Sequence, residues 1–311
     1  MPGWFDGNFT ITVSGPLIRS GTGLALIKTL CSPLNDVDFR FQGAQAMLTK
    51  GDDHPSAEPS TSGEAGRRLR GQRILITGAG RGLGAVFARA VADAGGSVLG
   101  LGRNRDVMES LLAELPHHDG AVHEAVIADV TDREGLMSAL EGRSITGVIN
   151  NAGVAMSDPL HTSDEDETRN LIEVNILAAL WVLQAATPSL EAGGGGVVVN
   201  IASTLGHRPL PRTGAYAASK AALIQMTRSA AIELGAKNIR VNALAPGYIK
   251  TDINREFLES PAGEKLIRRT ALGRIADAAE LIPPLMLLLD PANSYMTGSI
   301  LTVDGGMSAS L

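Results

Sequence analysis

The sequence has few of the residues that mark several large classes of protein. A single cysteine, Cys31, among 311 residues excludes an internal disulfide framework and is typical of a reducing compartment. Aromatic residues make up only 4% of the chain. No unbroken apolar run reaches the roughly 18 residues of a membrane-spanning helix. A formal net charge of −6 gives no basic excess, which argues against a nucleic-acid-binding protein.

Several sequence motifs are also missing. The N-terminus, MPGWFDGNFT, lacks the basic patch and apolar stretch of a signal peptide, so we expect a cytoplasmic protein. There is no H-E-x-x-H motif, no cysteine cluster and no G-x-S-x-G elbow, which argues against the common metal sites and serine hydrolases. We therefore expect no metal, and neither nucleic acid nor a membrane as a partner.

The chain changes character near residue 70. Residues 52–66 read DDHPSAEPSTSGEAG and contain little that could be buried, which predicts a flexible linker. The short apolar runs of residues 1–50 are too short to form a domain. We therefore predict a disordered extension and linker over residues 1–69, and one catalytic domain over residues 70–311.

From residue 73 onward, short apolar runs rich in Val and Ile alternate with segments of helical periodicity. Such alternation predicts an α/β fold with a Rossmann-like, doubly wound parallel sheet of about seven strands. The runs do not alternate with polar residues, which suits strands buried on both faces. The predicted strands are Arg73–Thr77, Ser97–Leu101, Val122–Ala128, Thr146–Asn150, Val197–Ile201, Arg240–Ala245 and Ile300–Val303. Pro283 and Pro284 interrupt a late helical pattern, where we expect a kink or an early break.

A glycine-rich turn follows the first predicted strand. Its spacing is T-G-x-x-x-G-x-G, carried by Thr77, Gly78, Gly82 and Gly84. Without Cβ atoms, such a turn lets a pyrophosphate approach the backbone, and the following helix directs its free N–H groups at the anion. Glycines also serve ordinary tight turns, but the position between the first strand and the first helix favours phosphate binding.

The second predicted strand ends at Gly102 and Arg103. In dinucleotide-binding folds this position faces the adenosine ribose, where an acid binds the 2′-hydroxyl and an arginine pairs with a 2′-phosphate. Arg103 therefore favours NADP over NAD, although a loop-capping role would also explain an arginine here.

Tyr216 and Lys220 lie four residues apart on a predicted helix, so both side chains share one face. A tyrosine is a poor acid or base at its ordinary pKa of about 10, and a neighbouring cation is expected to bring that pKa toward the working pH. Alone, the pair would be read as a half-buried tyrosine and a solvated lysine.

Ser203, however, follows the fifth strand 13 residues before Tyr216, at the sheet edge where ligands gather. Asn175 lies in the apolar helical segment LIEVNIL, where an amide is disfavoured unless it has partners.

These motifs resemble the short-chain dehydrogenase/reductase family over residues 70–308. The N-N-A-G motif is Asn150 to Gly153, and the family's catalytic Asn, Ser, Tyr and Lys match Asn175, Ser203, Tyr216 and Lys220. The resemblance implies a hydride transfer between NAD(P)(H) and a carbonyl or secondary alcohol, such as a 3-oxoacyl thioester or a sugar-type substrate. The short stretch between Asp129 and Asn150 departs from the family and predicts a stubby helix.

The resemblance also implies the binding residues of the cofactor, NADP, with NAD as the alternative. They are Thr77, Gly78, Gly80, Arg81, Gly82, Leu83, Gly84, Arg103, Asp129, Val130, Asn151, Ala152, Gly153, Tyr216, Lys220, Pro246, Gly247, Ile249 and Thr251.

Some alternatives stay open at this stage. A non-catalytic dinucleotide sensor or scaffold could use the same fold, and so could a lyase or epimerase. A homotetramer or homodimer is expected from the resemblance. The stripe Leu223, Met226, Ala230 and Leu234 is either core or subunit interface. His207 either shapes the substrate pocket or lies in a surface loop.

Overall fold

The computed structural model of the protein describes residues 68–250, 258 and 260–309. The predicted extension and linker lie outside these residues, except for their last two. Leu69, which the sequence placed in the linker, is fully buried, and its N–H donates to Ala94 O at 3.0 Å. The catalytic domain therefore begins before residue 70, because Leu69 is part of the core.

A seven-stranded parallel sheet forms the centre of the domain, with the strand order β3-β2-β1-β4-β5-β6-β9. Its strands are β1 (Arg73–Thr77), β2 (Ser97–Gly102), β3 (Glu124–Ile127), β4 (Gly147–Asn150), β5 (Gly196–Ile201), β6 (Ile239–Pro246) and β9 (Ile300–Val303). The strand order reverses between β1 and β4, which opens a crevice at the carboxyl ends of the strands. Two short strands, β7 (Ile249–Lys250) and β8 (Ala276–Asp277), pair separately. The doubly wound fold predicted from the sequence is confirmed.

The third strand is shorter than predicted, since residues 122, 123 and 128 lie outside it. Val122 is 56% exposed, and its N–H donates to Ser97 Oγ rather than to the ladder. An apolar run at a sheet edge does not need to pair along its whole length, because solvent can satisfy its backbone.

Helices cover both faces of the sheet. They are α1 (Gly82–Asp93), α2 (Arg105–Ala113), α3 (Arg133–Leu140), α4 (Glu165–Ile172), α5 (Ala178–Ala192), α6 (Gly214–Leu234), α7 (Pro261–Ile267) and α8 (Ile282–Leu289). A π-helical turn, Glu173–Leu177, joins α4 to α5. The eight residues of α3 agree with the stubby helix expected after Asp129.

Two hydrophobic clusters show how the strands are buried on both faces. In β1, the side chains of Ile74 and Ile76 join one cluster, while Leu75 between them joins the other. Phe87 of α1 belongs to the first cluster and Val182 of α5 to the second. Successive strand residues point to opposite faces, which explains apolar runs without a polar alternation.

The late proline pair lies at a helix start, where it is tolerated. A 3₁₀ turn, Ala278–Leu281, ends before α8 begins, so Pro283 and Pro284 fall in the first turn of α8. The first N–H groups of a helix have no partner within it, so proline loses nothing there. The 3₁₀ turn runs directly into α8, so the expected break is not present; the prolines lie where the helix type changes.

One helical run of the described residues, Glu165–Ala192, is long and apolar enough to cross a membrane by length and composition alone. Its longest unbroken apolar run, residues 176–183, is far shorter than the roughly 18 residues that a spanning helix needs. Core helices of soluble domains pass the same test, and Val182, Ala186 and Leu190 of this run pack in the second hydrophobic cluster.

Candidate active site

The predicted site residues gather at the carboxyl edge of the sheet, on both sides of the strand-order reversal. The glycine-rich turn follows β1, and the N-N-A-G motif ends β4 beside it. Ser203 follows β5, the next strand in the sheet. In open parallel sheets this crevice is where ligands bind.

The turn after β1 requires glycine at defined positions. Gly78 and Gly82 have φ values of +64° and +56°, which favour residues without a Cβ. At Gly84, an added Cβ would lie 2.1 Å from Gly78 O, so the helix start could not approach the turn. Beside Gly82, by contrast, no atom of the described residues lies within 4 Å of an added Cβ. The turn thus leaves open space at the N-terminus of α1, which suits a dinucleotide phosphate.

The other predicted residues of this turn have different surroundings. Arg81 is exposed and precedes α1. Leu83 is half-buried and packs against the first hydrophobic cluster. An added Cβ at Gly80 would lie 2.9 Å from Val107 Cγ1, so this glycine accommodates α2. Leu83 and Gly80 therefore support the turn through packing.

Thr77 and Asn151 fasten the two loops to each other. The buried Thr77 Oγ1 accepts hydrogen bonds from Asn151 N at 3.0 Å and Ala152 N at 2.9 Å. Asn151 Nδ2 in turn donates to Thr77 O at 3.0 Å and Gly78 O at 3.3 Å. These side chains were predicted to bind the cofactor. Their hydrogen bonds join the glycine-rich turn to the end of β4.

Arg103 and Asp129 lie together at the ends of β2 and β3. Arg103 Nη1 is 3.5 Å from Asp129 Oδ2, and the Arg103 side chain is 78% exposed. Burial alone would raise the pKa of Asp129, but hydrogen bonds from the Thr131 N–H and O–H, together with the Arg103 charge, hold this pKa below its usual value. Val130, beside Asp129, packs against the second cluster. This end of the crevice therefore presents a permanent cation and a carboxylate.

Ser203 and Tyr216 carry the two hydroxyls that were predicted to be catalytic. Ser203 is buried after β5, where its Oγ accepts from Leu205 N at 3.2 Å. The phenol of Tyr216, in the first turn of α6, lies near enough to the Ser203 side chain for that side chain to lower its pKa. The structure therefore brings together two residues that are 13 positions apart in the chain.

Lys220 lies one turn further along α6 and is buried. Its Nζ donates to Ile201 O at 2.9 Å and lies 5.8 Å from the centre of the Tyr216 ring. Burial lowers the pKa of Lys220 to about 8. An added Cβ at Gly153 would lie 3.5 Å from Lys220 Nζ, so the N-N-A-G motif passes close to the amine.

The direction expected for the pKa of Tyr216 was wrong. Burial raises this pKa, the Ser203 side chain lowers it by less, and Tyr248 raises it further. Lys220 does not lower it, because the amine is directed at the Ile201 carbonyl and has itself lost part of its affinity for a proton. Tyr216 therefore keeps its proton at neutral pH.

Asn175 is in the middle of the π-helical turn and is only 1% exposed. Its Oδ1 accepts from Val154 N and its Nδ2 donates to Val154 O, both at 2.9 Å. Val154 directly follows the N-N-A-G motif. The amide that was expected to need partners has them, and it connects the helix to the loop after β4. Single π turns in α-helices are frequent at functional sites.

The predicted cofactor-binding residues at the end of β6 and after it differ in their surroundings. Pro246 ends the strand, and an added Cβ at Gly247 would lie 2.7 Å from Asp304 Cβ. Ile249, which was predicted to bind the cofactor, has its side chain buried in the first cluster. Thr251 lies outside the described residues.

One residue near the phenol was missed by the sequence analysis. Tyr248 follows Gly247 and is half-buried, and its phenol raises the pKa of Tyr216. Its position directly after the P-G motif was the only available signal.

His207, the other candidate, is exposed after the 3₁₀ turn Thr204–Gly206, consistent with a loop histidine.

Comparisons with known proteins agree with this geometry. The family model described as short chain dehydrogenase matches residues 72–262. Galactitol 2-dehydrogenase (L-tagatose-forming) of Cereibacter sphaeroides is 36% identical over 248 residues, which cover 77% of this chain and 96% of that protein. A 3-oxoacyl-[acyl-carrier-protein] reductase of Thermotoga maritima is 35% identical and covers 77% of this chain and 99% of its own length.

A solved structure shares the fold. A gluconate 5-dehydrogenase of Burkholderia cenocepacia J2315, in complex with NADP and tartrate, superposes with a TM-score of 0.75 at 30% identity. The match covers 79% of this chain and 98% of that one. Family, fold and reaction class agree across these comparisons. The chain therefore belongs to the short-chain dehydrogenase/reductase family of NAD(P)-dependent oxidoreductases that act on CH–OH groups and carbonyls.

Proposed function

We propose that this enzyme reduces a carbonyl with Tyr216 as the proton donor and Ser203 as the group that binds the carbonyl oxygen. The observation that carries the proposal is that the Ser203 side chain and the buried amine of Lys220 both lie close to the Tyr216 ring. The raised pKa of Tyr216 keeps its proton available at neutral pH. In the reverse direction the phenolate accepts the proton of an alcohol.

Lys220 and Asn175 serve the proton supply in this proposal. With a pKa of about 8, the Lys220 amine can hold or release a proton near physiological pH. Its Nζ and the Asn175 amide both border Gly153, within 3.5 Å and 3.2 Å of the position of an added Cβ. Asn175 would hold a water there from which the proton of Tyr216 is replaced.

The phosphate turn and the ends of β2 and β4 would hold the nicotinamide cofactor. When bound, the cofactor supplies the hydride. The open space beside Gly82 and the N-terminus of α1 suit its pyrophosphate. Asp129 and Val130 would hold the adenine side, Gly153 would border the nicotinamide side, and Lys220 would bind the ribose hydroxyls there.

We further propose a preference for NADP over NAD. An exposed ion pair such as Arg103–Asp129 is worth little, so the Arg103 guanidinium is free to turn toward a 2′-phosphate. Arg103→Ala should raise the KM for NADPH about ten- to hundredfold, the equivalent of a hydrogen bond to a charged group. The KM for NADH should change by less than about twofold in this variant, since NADH carries no such phosphate.

Arg105→Ala is the matched control for this prediction. Arg105 starts α2, is 64% exposed and pairs with Glu109 instead of Asp129. Steady-state kinetics with both cofactors should leave its KM values near wild type. An equal rise in the KM for NADPH in the two arginine variants would show that Arg103 does not bind the 2′-phosphate. A preference of the wild-type enzyme for NADH would show the same.

The substrate is proposed to be a sugar-type secondary alcohol and its ketose, or a 3-oxoacyl thioester. The relatives named above act on one or the other. A panel of galactitol, L-tagatose, gluconate and acetoacetyl-CoA, assayed with both cofactors, tests the proposal. Turnover of any of these supports oxidoreductase activity and identifies the class. Cofactor binding without turnover would favour the alternative of a dinucleotide sensor.

We also propose a cytoplasmic homodimer or homotetramer, on the basis of the family resemblance. The apolar stripe offered as an interface is partly core, because Leu223 and Ala230 are buried within the chain. On the same helix, Ile232 is 83% exposed and available for a subunit contact. Light scattering at micromolar concentration should give a multiple of 32.4 kDa, and the mass of a single chain would refute the assembly.

A further inference from the structure

A buried hydroxyl connects Tyr216 and Asn175. Ser219, directly before Lys220, is fully buried on α6. Its Oγ donates to Tyr216 O at 2.7 Å and accepts from Asn175 Nδ2 at 3.0 Å. One side chain thus contacts the helical turn that carries the phenol and also the amide on the π-helical turn.

The bond from Asn175 to Ser219 completes the hydrogen bonding of the amide nitrogen and leaves one lone pair of Oδ1 for a water. Both hydrogens of Asn175 Nδ2 are used, one by Val154 O and one by Ser219 Oγ, while Oδ1 accepts from Val154 N. Without the Ser219 hydroxyl, a buried N–H would lose its partner, which is costly away from water. The amide would then be held from the Val154 side only.

We propose that Ser219 is a positioning residue, which holds Asn175 in register with Tyr216 and Lys220. It lies between these two residues in the chain and is the point where α6 holds the amide of the π turn. This inference rests on the proposed function, in which Asn175 holds the water that resupplies the proton of Tyr216.

Thr227 provides a matched control on the same helix. It is also fully buried, and its Oγ1 donates to Leu223 O at 2.8 Å and accepts from Asn200 Nδ2 at 2.9 Å. The chemistry is that of Ser219, namely a helix hydroxyl that accepts from an asparagine amide. Eight residues of helix place it about 12 Å further along α6.

The experiment compares Ser219→Ala with Thr227→Val in the full-length protein, using NADPH and the best carbonyl of the panel. Both variants should lower the melting temperature by similar amounts, because each leaves one buried N–H without a hydrogen-bond acceptor. Ser219→Ala should lower kcat about tenfold while the KM values for NADPH and the carbonyl stay within about twofold. Thr227→Val should keep kcat within about twofold of wild type.

Two further measurements separate positioning from general destabilisation. In a double variant with Asn175→Ala, removing the Ser219 hydroxyl should lower kcat no further, since its target is gone. Full additivity of the two losses, or equal kcat in the Ser219 and Thr227 variants, would overturn the proposal.

Crystal structures of the two variants give a readout that does not depend on turnover. The Asn175 amide should be displaced in Ser219→Ala and unmoved in Thr227→Val. An unmoved amide in Ser219→Ala would overturn the positioning role even if activity fell. If the wild-type enzyme reduced none of the carbonyls, the proposed function would fail instead.

Discussion

Tyr216→Phe should lower kcat for carbonyl reduction by about 10²–10⁴-fold, the usual contribution of a general acid. The substitution removes the phenolic oxygen and its proton and leaves the ring in place beside Ser203. Because the phenol is proposed to act on the substrate oxygen, the Kd for NADPH should stay within about twofold of wild type. Steady-state kinetics and a fluorescence titration with NADPH measure the two effects separately.

Tyr295→Phe is the control for Tyr216→Phe, because Tyr295 is fully exposed and far in sequence from the site. It makes the same chemical change and should leave kcat unaltered. A kcat for Tyr216→Phe within about tenfold of the wild-type value would be too high for an enzyme that has lost its general acid, and would contradict the assignment.

The reverse reaction adds a pH dependence to this prediction. Burial raises the pKa of Tyr216, so the phenol carries its proton at neutral pH and forms more phenolate as the pH rises. Alcohol oxidation by the wild-type enzyme should therefore speed up with rising pH, since the phenolate is the base. Tyr216→Phe has no phenol to ionise. Its residual rate of alcohol oxidation should therefore rise less with pH than the rate of the wild-type enzyme.

Gly84→Ala should weaken NADPH binding by more than about tenfold and lower the melting temperature by several degrees. The added Cβ would lie 2.1 Å from Gly78 O and 2.8 Å from Asn151 Nδ2, so the turn or the helix start must move. Overpacking of this kind typically costs about 1–3 kcal/mol, and each kcal/mol lowers the melting temperature by roughly 2–4 °C in a domain of this size. A thermal melt and an NADPH titration measure both effects.

Gly235→Ala makes the same change at an open helical position. Gly235 has φ −58° and ψ −42°, and no atom of the described residues lies within 4 Å of an added Cβ. Its melting temperature should stay the same or rise, since alanine is favoured over glycine in helices. Wild-type affinity for NADPH in Gly84→Ala would contradict the role given to this turn.

If Gly84→Ala fails to fold, Gly82→Ala tests the same turn more gently. Its Cβ would meet open space, so the cost to stability is limited to the strain of its positive φ. The variant should fold and still lose affinity for NADPH, because the added methyl group enters the space proposed for the phosphates. Unchanged affinity here would place the phosphates elsewhere.

Much of the fold could be predicted because local patterns and tertiary structure agree. Apolar runs without alternation predicted strands buried on both faces, and Ile74, Leu75 and Ile76 are divided between the two hydrophobic clusters. The prediction was less accurate where the local pattern was ambiguous. The run starting at Val122 lies at a sheet edge, and Leu69 is core although it follows a linker-like segment.

The sequence by itself determined the kind of site and the residue types in it. The spacing of Tyr216 and Lys220 on one helix and the glycines of the phosphate turn follow from local geometry, which the sequence encodes directly. The tertiary structure alone decided which side chains meet. The side chains of Thr77 and Asn151 each form hydrogen bonds with the loop that contains the other residue. Asn175 on the π-helical turn donates a hydrogen bond to Ser219 on α6. Burial, rather than the neighbouring lysine, sets the direction of the Tyr216 pKa. Hydrogen-bond partners and desolvation depend on which distant segments pack together, and no local pattern in a single sequence records that.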